Sequence, residues 1–368
     1  MGNGGSCASF RRSTQPARAV TPDIILLLAQ DGITNGAIYA LLALALLLVF
    51  SVTRVIFIPQ GEFISYAALS LAVLQGGQVP GVVYVLVGGG LIAAVFDTAV
   101  AVRDRALRRL PLVFLGYIVL PCAMAALAWW AAPRKLDLVW QILLVIGLVV
   151  PLGPIVYRIA FQPLAKASVL VLFIASIAAH YILQGLGLVF FGGEGLRSAA
   201  FSDARFNLGV VEASAQSLMV IAASVAVMLM LWLFVGRSIY GKALRATAVN
   251  RVGARLVGIR PELAGALSLL LAAFIGTVSG ILMAPITTIY YDTGFLIGLK
   301  GFVGAILGGM ASFPLAVAGA LFLGLLEAYA SFWSSAFKET IVFAIIIPPL
   351  IWLSLRSRHV AEEEEEEE

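Results

Sequence analysis

Apolar residues are gathered into long blocks, and the breaks between blocks carry most of the chain's charge. The blocks fall near 24–50, 61–75, 82–102, 112–131, 138–157, 168–191, 214–236, 263–290, 294–309, 313–335 and 340–355. A bilayer-spanning helix needs roughly 20 apolar residues, so most blocks predict a complete crossing. The blocks 61–75 and 294–309 are shorter, which predicts tilted, broken or re-entrant segments. The expected fold is an all-α polytopic membrane protein with about 10–11 transmembrane helices. Polar stretches divide it into a tail (1–23), a membrane domain (24–355) and a second tail (356–368), basic at first and ending in seven glutamates, Glu362 to Glu368.

The longest polar break, 237–262, reads RSIYGKALRATAVNRVGARLVGIRPE, with six basic residues and one acidic. Leu244, Ala248, Val252 and Leu256 recur every four residues, so a helix here would carry an apolar stripe beside an arginine-rich face. Such a segment is shaped to dock on a soluble partner. Three further zones are basic: 103–109 (RDRALRR), Arg158 with Lys166, and Arg356 with Arg358. Alternating crossings put all four on one side, which the positive-inside rule makes the cytoplasm. The loops 132–137, 192–213 and 336–339 fall opposite and are mixed in charge. An odd number of crossings leaves the N-terminus outside despite Arg11, Arg12 and Arg18. A twelfth element within 24–50, which Gln30, Asp31, Gly32 and Asn35 interrupt, would return it to the inside.

Composition agrees with the pattern. The chain is 61% hydrophobic and 12% charged, with a mean hydropathy of +1.02, more apolar surface than a soluble fold can hide. The formal charge of +4 is set by the terminal glutamates; without them 24 basic residues face 13 acidic ones, a net of +11. With only Cys7, Cys122, His180 and His359, a metal site or a disulfide framework has too few ligands. Gly2, Ser6 and Cys7 loosely fit an acylation start. Arg11–Arg12 fits a twin-arginine signal, but no small-residue cleavage site follows. An uncleaved tail is expected.

The candidate chemistry is sparse. Gly236 to Ala243 nearly matches a phosphate-binding loop, but Ala243 replaces the hydroxyl residue and a membrane helix precedes it, so no nucleotide site is expected. Lys300 and Glu327 lie inside apolar blocks, where ionisable groups pair or line cavities. If their helices are neighbours they could pair, either to fix packing or to serve transport. His180, Tyr181 and Gln184 are read as one face of 168–191, with His180 an interhelical hydrogen bonder or a proton relay. Gln60, Gly61 and Glu62 open the second block, Glu62 being a helix-start carboxylate or a residue of a pathway. Gly32/Gly36, Gly276/Gly280 and Gly304/Gly308 are GxxxG pairs that predict close helix packing. No set of catalytic residues is present, so no enzyme and no cofactor is expected.

With these residues in view, the sequence resembles the inner-membrane permease subunits of branched-chain amino acid ABC transporters. Residues 32–67 are similar to the family's first two helices. Gly61 and Glu62 match the end of its Asn-Phe-Ala-His-Gly-Glu segment, whereas Phe57, Ile58, Pro59 and Gln60 depart from it. YRIAFQPLAKAS (157–168) resembles the family's Tyr-Arg-Pro-Leu turn with three extra residues. The nearest match is GKALRATAVNRVGARLVGI (241–259), where Gly241, Arg245, Ala246, Ala248, Ala254, Gly258 and Ile259 fall on the coupling segment. Gly280, Gly308, Gly309, Gly319 and Glu327 follow in register. The resemblance covers 32–76 and 150–355, leaving 82–135 as an apparent insertion of two helices.

The resemblance implies a multi-pass subunit of the bacterial inner membrane that forms a path for branched-chain or related amino acids, or small amides. A second permease subunit, identical or not, would complete the pore. Two cytoplasmic ATPase subunits would receive the coupling segment, to which Arg251 and Arg255 are added as candidates, and a periplasmic binding protein would deliver substrate. Membrane lipid is the expected surrounding and nucleic acid is not a partner. Gln60, Gly61, Glu62, His180, Gln184, Lys300 and Glu327 are the translocation-path candidates. An ion-coupled secondary transporter and a non-transporting scaffold are the alternatives.

Overall fold

The computed structural model describes residues 22–103, 105, 110–165, 167–202, 204–207, 212–310, 312–345 and 347–351. Both tails and most of the 103–109 loop therefore lie outside the described residues. The helices are α1 (Pro22–Thr53), α2 (Gln60–Gln75), α3 (Val82–Arg103), α4 (Leu110–Phe114), α5 (Leu120–Ala131), α6 (Leu138–Val149), α7 (Leu152–Val156) and α8 (Val169–Phe191). They continue as α9 (Ala215–Arg237), α10 (Ile239–Val249), α11 (Arg251–Leu256), α12 (Pro261–Met283), α13 (Thr293–Leu307), α14 (Phe313–Trp333) and α15 (Lys338–Ala344). The π-helical turns Leu115–Val119 and Tyr157–Phe161 join α4 to α5 and extend α7. Two three-residue strands, Arg205–Asn207 and Glu212–Ser214, pair antiparallel outside the bundle.

Among the described residues each apolar block carries helix, and eight helical stretches are long and apolar enough to cross a bilayer. The two blocks read as too short are α2, of 16 residues, and α13, of 15. The region 82–135 contains two of the eight candidate spans, Val82–Arg103 and Leu115–Arg134.

Small residues set the packing, as the GxxxG pairs predict. A Cβ on Gly36 would touch Leu321 Cα at 3.0 Å, and one on Gly32 would touch Leu325 Cα at 2.8 Å, so α1 and α14 run antiparallel at backbone contact. Gly276 and Gly280 of α12 meet Phe63 and Ile64 of α2, and Gly304 and Gly308 of α13 meet Ala320 and Ala316 of α14. Lipid supplies no hydrophobic drive between helices, so close van der Waals contact and interhelical hydrogen bonds hold such a bundle. The core surrounds α1 and α2, where Tyr39, Tyr66, Phe57 and Phe63 are among the largest fully buried side chains.

The direction of α1 follows from its ends. Tyr329, near the end of α14, donates to the Ile25 carbonyl at 3.3 Å. At the other end Arg54 donates to the Ala248 carbonyl of α10 at 3.4 Å. α1 therefore begins on the side opposite the basic 237–262 segment.

Candidate functional site

Two helices begin in the middle of the bundle. Arg54 takes the left-handed conformation (φ 60°) and ends α1, and residues 54–57 run without regular structure toward the bundle interior. There the Ile58 amide donates to Ser176 Oγ of α8 at 2.9 Å. The Gln60 side chain donates to the carbonyl of Ala272, the central residue of the 23-residue α12, at 2.9 Å. Glu62 Oε1 lies 2.9 Å from Nδ1 of His180, the central residue of the 23-residue α8. Both neighbours place the first turn of α2 at mid-span.

α13 starts at the same point and runs the other way. A Cβ on Gly61 would fall inside the Gly294 carbonyl, and one on Gly294 would fall inside the Gly61 carbonyl. Ser65 Oγ accepts the Gly294 amide at 2.8 Å. Phe295 of that first turn stacks on the His180 ring at 4.4 Å between centroids. The far end of α13 reaches Ala316, at the start of α14 on the basic side. Two helix N-termini, each with its positive dipole end, thus face each other at mid-membrane. This is the broken-helix arrangement that membrane proteins tolerate only inside protein.

Among the candidates from the sequence, Gln60, Gly61, Glu62 and His180 are brought together here. Gln60 and Glu62 are fully buried, with Glu62 in the first turn of α2. Gln184 lies a turn further along α8 and is half-buried, while Tyr181 is exposed and off their face; adjacent helical residues stand 100° apart. Ser65, Ser176 and Phe295 were not legible as members, because polar or aromatic single residues in apolar blocks carry no long-range signal. The cluster is only partly satisfied: Gln60 Oε1 and both Glu62 oxygens lack an aligned hydrogen-bond donor. Leaving a buried polar group without its neighbour costs about 1–3 kcal/mol. His180→Ala should therefore lower thermal stability of the detergent-solubilised protein by an amount in that range, and adding Glu62→Gln should restore most of it.

A second buried cluster lies six residues further along α13. Lys300 Nζ is 2.6 Å from Glu327 Oε1 of α14, and Tyr39 Oη donates to Glu327 Oε2 at 2.7 Å. Glu339, which opens α15, adds a carboxylate at 3.2 Å from Lys300. The conditional pairing read from the sequence is thus realised. Tyr39 and Glu339 complete it, one from inside the apolar block 24–50 and one from a break, so neither was marked by its surroundings.

On the basic side, α10 and α11 form a bent arm. The single helix expected over 244–256 is broken at Asn250, which leaves helical geometry and caps α11 by accepting the Gly253 amide at 2.8 Å. The stripe divides accordingly: Leu244 is buried, Ala248 half-buried, and Val252 and Leu256 exposed. Ser238 caps α10 and accepts the Gly241 amide at 2.8 Å. Gly241 itself packs on the Phe234 carbonyl, where a side chain would not fit. The loop-like Gly236–Ala243 sequence is thus a tight helix corner. Arg245 donates to the Gly236 carbonyl at 3.1 Å and Arg255 pairs with Glu262 at 2.9 Å. Gly258 ends α11 at φ 86°, with Ile259 N donating to the Ala254 carbonyl at 3.0 Å. Ala246 is half-buried and Arg251 lies at the start of α11.

The family model for the branched-chain amino acid transport system permease component matches residues 28–349. The LivH permease protein of the high-affinity branched-chain amino acid transport system of Escherichia coli is 25% identical over 334 residues, which cover 87% of this chain and 91% of the relative. BraD of Pseudomonas aeruginosa, a permease protein named for the same kind of system, is 30% identical over 211 residues (54% of this chain, 67% of the relative). A probable LivH of Methanocaldococcus jannaschii is 31% identical over 223 residues (58% and 69%). The chain belongs to the branched-chain amino acid ABC transporter permease family.

Proposed function

We propose that this chain is a pore-forming subunit of an ATP-driven importer in the bacterial inner membrane. Two permease subunits, two cytoplasmic ATPases and a periplasmic binding protein would make up the assembly, and the names of its relatives favour a branched-chain amino acid as cargo. One observation carries the reading. The α10–α11 arm is held to the bundle on one face by Gly241, Leu244 and Thr247, while its other face leaves Val249, Val252, Leu256 and Val257 between 72% and 87% exposed. Contiguous apolar exposure rimmed by basic residues marks a protein contact surface, here on the side where ATPases would sit.

Movement of that arm has a physical route inward. α10 is tied to the end of α9 through Arg245 and to the end of α1 through Arg54. α1 continues through the irregular segment into Gln60, Gly61 and Glu62 at mid-span. Displacing α10 would therefore load the Gly61–Gly294 junction, where Gln60 and Glu62 retain hydrogen-bonding capacity for a second arrangement. A packed element with two discrete states switches more readily than one that deforms continuously. No ATPase site of the chain's own is invoked.

Arg245 and Arg255 already make intrachain bonds, so charge reversal there would disturb the arm itself. Val249→Asp with Val257→Asp alters only exposed positions. Co-purification of ATPase subunits with this variant should fall about tenfold or more, as for a lost interface anchor, with an unchanged gel-filtration profile. Wild-type recovery of ATPase by the variant would remove the arm from the coupling role.

A further inference from the structure

We propose that the chain binds an anionic phospholipid of the cytoplasmic leaflet, with its headgroup at the root of the α10–α11 arm and its acyl chains along α3. A pocket of about 630 Å³ lies where the end of α3, the Tyr157–Phe161 turn, α11 and the start of α12 meet. Arg158, Arg251 and Arg255 line it, with Glu262 as its acidic member. Arg158 pairs with Asp97 of α3, yet its buried Nε has no hydrogen-bond partner. Arg255 pairs with Glu262, and Arg251 makes no ion pair among the described residues. Cation excess in a pocket at the cytoplasmic end of membrane helices suits a phosphate diester.

The other half of the amphiphile is accounted for by the same seam. Phe96 and Val100 of α3 line the basic pocket. A turn and more further into the membrane, Val85, Gly89 and Ile92 line an apolar groove of about 550 Å³ against Ile155 and Ile159. Spacings of three and four residues put these α3 positions on one helix face, so groove and pocket lie along the same side of α3. Gly88 opens that groove: a Cβ there would meet nothing within 4 Å. A basic head site on the same side of α3 as an apolar trough at bilayer depth fits a lipid better than an acidic peptide, which would leave the trough uncovered. Because Arg251 and Arg255 belong to the arm, bound lipid would link leaflet charge to the arm's position. The proposal goes beyond the transport reading and does not depend on it.

The full chain, purified in detergent, is mixed with phosphatidylglycerol, phosphatidylcholine or inorganic phosphate and examined by native mass spectrometry. Phosphatidylglycerol should be retained over phosphatidylcholine, and Arg251→Gln with Arg255→Gln should reduce that retention about tenfold. Gly88→Phe, which fills open space without touching charge, should reduce it as well while gel filtration stays unchanged. Equal retention by wild type and the double variant overturns the proposal. So does displacement of the lipid by millimolar phosphate, which would make this a free-anion site. Loss of ATPase co-purification with lipid retention intact would assign the arginines to the ATPase contact instead.

Discussion

Gly61→Val should abolish transport and remove most of the folded protein. The Cβ alone would overlap the Gly294 carbonyl, with the Gly294 carbonyl carbon at 2.5 Å and the Phe295 nitrogen at 3.0 Å behind it. Overpacking ordinarily costs about 1–3 kcal/mol because neighbouring side chains can shift. Here the obstruction is the backbone of α13, itself fixed by the Ser65 hydrogen bond to Gly294, so the penalty should exceed about 3 kcal/mol. Gly185→Ala, on a face of α8 with nothing within 4 Å of the added carbon, is the control and should behave as wild type. Yield and monodispersity after heating measure both. A stable, transporting Gly61→Val protein would show that the two helix starts do not meet.

Lys300→Met should be the most damaging change to a side chain. It leaves Glu327, 7% exposed, with the Tyr39 hydroxyl and the more distant Lys338, whose Nζ lies 3.9 Å away. Breaking one side of a buried pair costs about 3–5 kcal/mol, whereas replacing both sides with apolar groups of similar volume is often neutral. Lys300→Met with Glu327→Leu should therefore be more stable than Lys300→Met alone, giving a coupling above about 2 kcal/mol in a double-mutant cycle. Thermal unfolding of the four proteins reads it directly. Additive effects would mean that water reaches the pair.

How legible these features were depended on the range of interaction behind each. Helix positions follow from hydrophobicity along the chain, which is local, and among the described residues each of the apolar blocks carries helix. The short blocks 61–75 and 294–309 were marked by length alone. That they begin at mid-span and abut at Gly61 and Gly294 depends on contacts across more than 200 residues. Gly61 and Glu62 could be singled out because they open a block beside a proline. His180, which faces Glu62, could not be assigned to it, since nothing near residue 180 encodes which helix it faces.

Local chemistry also overrode periodicity once. The four-residue repeat from Leu244 to Leu256 favoured one helix, but Asn250 competes for the backbone as a cap and splits it. The near match to a phosphate-binding loop was rejected on one missing hydroxyl. The fold adds the positive reason for its glycine: Gly241 is where α9 and α10 touch. Lys300 and Glu327 were readable as a pair because membrane burial of two opposite charges leaves few other outcomes.

The most direct test of the account is uptake of labelled leucine into liposomes containing this chain, its partner permease and the ATPase subunits, with binding protein outside. Uptake should require ATP inside the vesicles and persist when ion gradients are collapsed. Uptake that proceeds without ATP and disappears with the ion gradient would contradict the account and favour an ion-coupled carrier.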